Sequence, residues 1–170
     1  MPSIFNKDKL EMKLVEPELE EFTWKKSSKL NAIVQSDDYV FDVKTIGPGK
    51  FSYPYHYHYN SEEIFVVLKG KITLRTPEGF QDITEGEFAF FEKGPSGAHQ
   101  LYNNTDDICT YLDIRSKKEL DVCEYPDSEK INIMNARSMI FTKGQEVDYF
   151  YKEDDVLNKW IKLGFEFNKK

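Results

Sequence analysis

Gly49-Lys50-Phe51-Ser52-Tyr53-Pro54-Tyr55-His56-Tyr57-His58-Tyr59-Asn60-Ser61-Glu62-Glu63 carries two of the three histidines of this chain. The third, His99, stands in Gly94-Pro95-Ser96-Gly97-Ala98-His99-Gln100-Leu101-Tyr102-Asn103. His56 and His58 are two apart, so on an extended strand both imidazoles point to one face. Tyr53, Tyr55, Tyr57 and Tyr59 then face the other way, into packing or a subunit contact. Glu63, five residues on, and His99, roughly forty residues later, complete a candidate shell of three nitrogens and one oxygen. Such a shell suits a divalent transition metal such as Fe, Mn, Zn, Ni or Cu, and it is too rich in nitrogen to favour Ca or Mg. The candidate metal ligands are therefore His56, His58, Glu63 and His99. Glu62 competes for the carboxylate position, but Glu63 shares strand parity with Phe65 and Val67, whereas Glu62 reads as an acidic turn facing water.

Outward from these clusters the text is a series of short apolar runs with turn punctuation. Asp38–Ile46 is a strand ended by Gly47-Pro48-Gly49, and Tyr53–Tyr59 is the next. Glu63–Leu68 and Ile72–Arg75 are read as a hairpin turning at Gly70. Phe80–Thr84, Phe88–Phe91, His99–Tyr102 and Ile108–Ile114 follow, and Asn103 is expected to close a turn rather than to touch a ligand. Eight or so strands at this spacing predict an all-β sandwich or barrel. Residues 1–28 read as an arm with a short strand near Leu14-Val15, residues 29–117 as the barrel, and residues 118–170 as an extension. The extension has strand candidates at Ile131–Ile133 and Met139–Thr142, and a short helix is expected over Asp154–Gly164.

A length of 170 residues accommodates one domain with a sizeable core. Aromatics at 15% and short apolar runs favour half-buried strands over helices. The formal net charge of -7 would repel a phosphate backbone, so no nucleic-acid partner is expected. No stretch is long and apolar enough to cross a bilayer, and Met1–Leu10 has no core of signal-peptide length, so a cytoplasmic protein with no membrane partner is expected. Cys109 and Cys123 are too far apart for a paired zinc or redox motif. Cys109, within Ile108–Leu112, reads as a buried structural thiol.

The two histidine clusters resemble the paired motifs of the cupin superfamily. His56-x-His58, four residues, Glu63, six residues and Gly70 follow the first motif, and Gly86, the turn Gly94–Gly97, His99 and Asn103 follow the second. The distance from Glu63 to Gly70 also favours Glu63 over Glu62. Gly49 stands one residue further from His56 than the commonest spacing, and the turn before His99 is about two residues longer than the shortest form, where added loop length costs little. The segment Asp121–Ser128 is similar to the tail of single-domain bacterial cupins, some of them named as sugar-phosphate isomerases.

The resemblance implies a double-stranded β-helix, a jelly-roll cupin barrel, with an N-terminal arm, a short C-terminal helix and a homodimer. It also implies a metal-dependent enzyme acting on a small polar or carbonyl-bearing metabolite, an isomerase or a dioxygenase, with a non-catalytic small-molecule-binding or sensing cupin as the alternative. No spare histidine exists to serve as acid or base, and no basic residue is placed by a motif to hold a phosphate.

Overall fold

The computed structural model describes residues 2–27, 30–134 and 138–144, together with Asn158 and Lys162. Among the described residues thirteen strands run as β1 Met12–Val15, β2 Trp24–Ser27, β3 Tyr39–Ile46, β4 Tyr57–His58, β5 Glu63–Lys69, β6 Lys71–Thr76, β7 Gly79–Thr84, β8 Phe88–Phe91, β9 Gln100–Tyr102, β10 Cys109–Ser116, β11 Asp121–Tyr125, β12 Lys130–Met134 and β13 Ser138–Thr142. They form a six-stranded sheet in the order β1-β2-β3-β10-β5-β8, a three-stranded sheet β7-β6-β9 and a four-stranded sheet β13-β12-β11-β4. Every pairing is antiparallel. The fold is the all-β double-stranded β-helix that the motif spacing implies.

Strand alternation builds the interior. On the inner face of the large sheet, Cys109, Tyr111 and Asp113 of β10 are buried while Thr110 and Leu112 between them are half-buried. Glu63, Phe65 and Val67 of β5 follow the same period of two. At one end of this face Ile46, Phe65, Val67, Cys109 and Tyr111 pack against Ile72, Leu74, Ile83 and Leu101 of the three-stranded sheet. Fully burying each such apolar side chain contributes about 1.5–3 kcal/mol. At the other end the inward positions become polar, with Asp42, Glu63, Asp113 and Arg115, and there Cys123, Tyr125 and Met134 of the four-stranded sheet stand opposite. One sheet thus serves two purposes along its length: an apolar core and a polar cavity.

Three expectations are corrected. β5 and β6 do not form a hairpin: β5 pairs with β10 and β8, whereas β6 pairs with β7 and β9. Gly70, at φ +86°, carries the chain from one sheet to the other, and a Cβ there would stand 3.1 Å from the Ile108 carbonyl oxygen. Second, Leu30–Val34, within the stretch expected to be barrel, forms α1, a single helical turn. Third, only Tyr57 and His58 of the expected Tyr53–Tyr59 strand are in a ladder, because Pro54 lacks a donor and the preceding residues bend. Of the helix expected over Asp154–Gly164, Asn158 and Lys162 are helical and the remainder lies outside the described residues. The strands expected near Leu14-Val15, Ile131–Ile133 and Met139–Thr142 are β1, β12 and β13. No helix among the described residues is long and apolar enough to cross a membrane.

Candidate metal centre

The four candidate residues come from separate elements and meet at the polar end of the barrel. His56 and His99 face each other across an isolated bridge, with His56 N–H donating to His99 O at 3.2 Å and His99 N–H to His56 O at 2.9 Å. His58 ends β4, and Glu63 begins β5 opposite Arg115 of β10. All four are buried, between 2% and 7% exposed, so their polar atoms must find partners within the protein or a bound ion. Ligand atoms of His56, Glu63 and His99 all lie within 4.8 Å of one another. Glu63 Oε2 stands 3.2 Å from His99 Nε2 and 3.7 Å from His58 Nε2.

Each imidazole is pinned from behind. His56 Nδ1 donates to Pro54 O at 2.8 Å, His99 Nδ1 to Gly97 O at 2.9 Å, and His58 Nδ1 to Asp121 Oδ2 at 2.6 Å. With hydrogens on the Nδ1 atoms, the Nε2 lone pairs are free, and those of His58 and His99 face Glu63. Burial, reinforced at His56 by His99, lowers His56 to about 3, and burial lowers His99 to about 4. Both rings are therefore neutral at pH 7. Glu63 Oε2 and His99 Nε2 are buried without a hydrogen-bond partner. A carboxylate oxygen and an imidazole lone pair at 3.2 Å repel one another unless a cation stands between them. The donor set fits a divalent transition metal on this observation.

Around the cluster opens a cavity of about 300 Å³. Its most buried cation is Lys44, from β3, which forms an ion pair with Asp113 of β10. Lys44 Nζ also lies 4.5 Å from the Tyr53 ring centroid and 5.3 Å from that of Trp24. Burial acts against the lysine charge, but Asp113 together with Tyr111 and Tyr53 outweighs it, and the pKa ends above the ordinary lysine value. Burial and the Glu63 carboxylate push Asp113 upward, against the pull of Lys44. Tyr53 thus lines the cavity, contrary to the strand-parity expectation: the chain bends between Phe51 and His56, so alternation does not extend back to it. Tyr57 and Tyr59 do lie away from the cavity, bonded to each other at 3.1 Å, with Tyr59 donating to Glu124 at 2.8 Å. Tyr55 packs with Tyr57 and Ala98, and the Arg75 guanidinium lies 3.9 Å from its ring centroid.

Glu62 is exposed, as expected of a turn residue. Asn103 closes its turn, donating to Ile46 O and Asp107 O at 2.8 Å each. Sequence reasoning missed Lys44, Asp113, Arg115, Asp121, Cys123 and Tyr125. A signal for the first two was present, since Lys44 shares parity with Ile46 and Asp113 with Cys109 and Tyr111, and charged groups at core-facing positions are costly unless paired or functional.

Residues 43–115, the segment holding all four candidate ligands, match the cupin domain family. A solved structure from Acidithiobacillus ferrooxidans, provisionally named a sugar phosphate isomerase, shares 24% identity over 85% of this chain and 95% of its own, with a TM-score of 0.74. A protein from Silicibacter pomeroyi, described as a sugar phosphate isomerase of the cupin superfamily, shares 20% identity over 86% of this chain and 98% of its own, with a TM-score of 0.73. A polyketide cyclase from Streptomyces resistomycificus shares 18% identity over 90% of this chain and 94% of its own, with a TM-score of 0.56. These likenesses are of fold. No curated protein matches the chain.

Proposed function

We propose that this protein is a metal-dependent isomerase of a small, polar, carbonyl-bearing metabolite of the sugar or sugar-phosphate type. The observation that carries the reading is the pair of orphaned buried atoms, Glu63 Oε2 and His99 Nε2, beside a polar cavity. His56, His58, Glu63 and His99 would hold Fe, Mn, Zn or Ni, which supplies Lewis-acid polarisation of a carbonyl or hydroxyl oxygen. Asp113 and Tyr53 bring a carboxyl and a hydroxyl to the cavity wall, where a proton can be moved. Arg115 and Lys26 bring positive charge to the same wall, suited to an oxygen-rich or anionic substrate. Two fold neighbours carrying sugar phosphate isomerase names add support. A homodimer belongs to the same reading, supported by Phe88 and Phe90, exposed on the edge strand β8; sedimentation tests it.

The test is to strip the protein with a chelator, reload it with single metals and follow aldose–ketose interconversion by NMR across sugars and sugar phosphates. Interconversion that needs one metal and vanishes in His58→Ala supports the reading. Product formed only under air, with oxygen consumed, replaces it with a dioxygenase, and tight metabolite binding without product replaces it with a sensing cupin.

A further inference from the structure

Two cysteines are buried in this barrel, in unlike surroundings. Cys109 sits in the apolar core with Ile46, Phe65 and Tyr111. Cys123 is equally buried, at 1% exposure, but lies directly across from His58 in the β4–β11 register and lines the polar cavity. Its Sγ and ring nitrogens of His56 and His58 all lie within 4.8 Å of one another. Tyr125, two residues along β11, lines the same cavity, and its ring stacks on His56 at 5.9 Å and 26°. The sulfur shares His56 with the group that leaves Glu63 Oε2 and His99 Nε2 unpaired, and His58 Nε2 lies 3.7 Å from the same Glu63 oxygen.

We propose that Cys123 supplies a sulfur ligand to the metal centre, making it a mixed nitrogen, oxygen and sulfur site that favours borderline and soft divalent metals over manganese. The inference rests on the reading that His56, His58, Glu63 and His99 hold a metal, and extends it with a ligand outside both histidine clusters. Binding breaks the S–H bond and forms a sulfur–metal bond, with the proton passing to solvent and no electron transferred. Thiolate softness then sets the preference: zinc, cobalt and cadmium gain from the sulfur, whereas manganese gains little.

The full chain, stripped by chelation, is titrated with cobalt(II) and read in the near ultraviolet, where a thiolate-to-cobalt charge-transfer band reports sulfur directly. The expected result is a band that saturates at one cobalt per chain and is absent in Cys123→Ser and Cys123→Ala, both of which still take up cobalt. Cadmium affinity is expected to fall about 10–100-fold in Cys123→Ser, with manganese affinity nearly unchanged. Stoichiometric cobalt binding by the unaltered chain with no sulfur band overturns the assignment and leaves the metal reading intact. So does a band that survives in Cys123→Ser and disappears in Cys109→Ser. Failure of the unaltered chain to bind cobalt or cadmium at all overturns both.

Discussion

Asp121 fixes the orientation of His58: its Oδ2 lies 2.6 Å from His58 Nδ1, while Nε2 on the far side of the ring faces Glu63 Oε2 at 3.7 Å. Burial acts to raise the Asp121 carboxyl, but His58, the Ser61 hydroxyl and the Asn60 N–H outweigh it and hold it at about 2. The partner is thus ionised at any physiological pH and selects the tautomer whose Nε2 lone pair is free.

Asp121→Asn keeps the shape of this contact but removes its charge. The expected outcome is a loss of about 10–100-fold in metal affinity with the fold retained, measured by calorimetric titration of the chelated protein. Asp127→Asn, which removes the charge of an exposed partner of Arg75 outside the candidate ligand set, is the control and should leave affinity unchanged.

The buried neutral histidines make the metal-free protein sensitive to acid. His56 and His99 have folded values of about 3 and 4, below the model-peptide value of about 6.5. Between these limits the unfolded chain binds protons that the folded one does not, so stability falls as pH falls through 6.5 toward 4 and is regained above 6.5. Each histidine contributes a slope of up to about 1.4 kcal/mol per pH unit in that window. Urea unfolding of the chelated protein from pH 7.5 to 4.5 measures it, and a flat profile would show that the rings are already solvated.

Lys44 and Asp113 should behave as a unit. Lys44→Met leaves the carboxylates of Asp113 and Glu63 facing each other in the interior, with an expected destabilisation of about 3–5 kcal/mol. Lys44→Met combined with Asp113→Leu removes the uncompensated charge and is expected to recover most of that loss. A denaturation double-mutant cycle checks the coupling, and additive losses would contradict it.

Gly97 has two roles that one substitution should expose together. A Cβ at this position would lie 1.8 Å from Glu92 O, and its own carbonyl accepts from His99 Nδ1. Gly97→Ala must displace the backbone, so a destabilisation of about 1–3 kcal/mol or more is expected together with weakened metal binding. Gly47→Ala meets open space and should leave thermal stability and metal uptake unchanged.

Much of the candidate centre was legible because its candidate ligands lie in two short motifs. His56, His58, Glu63 and His99 were identifiable as candidates from residue type and spacing, and they stand close together at the polar end of the barrel. The strand pattern was legible too, since alternation is a local property of the chain. Gly70 shows the limit: a glycine between two apolar runs reads the same whether the next strand folds back on the last or crosses to another sheet. Tyr53 shows another, because parity counted from His56 holds only while the backbone stays extended, and it bends before reaching Tyr53.

From sequence alone came the class of donor atoms, the all-β architecture and the absence of any spare histidine for proton transfer. Folding added the surroundings: Asp121 behind His58, Cys123 beside it, and Lys44 neutralised by Asp113. These partners are separated by more than sixty positions, as in His58 with Asp121 and Lys44 with Asp113. Residue periodicity says which face a side chain takes. Which strand lies across from it depends on how the three sheets pack against one another, a property of the whole chain's packing and not of any local stretch.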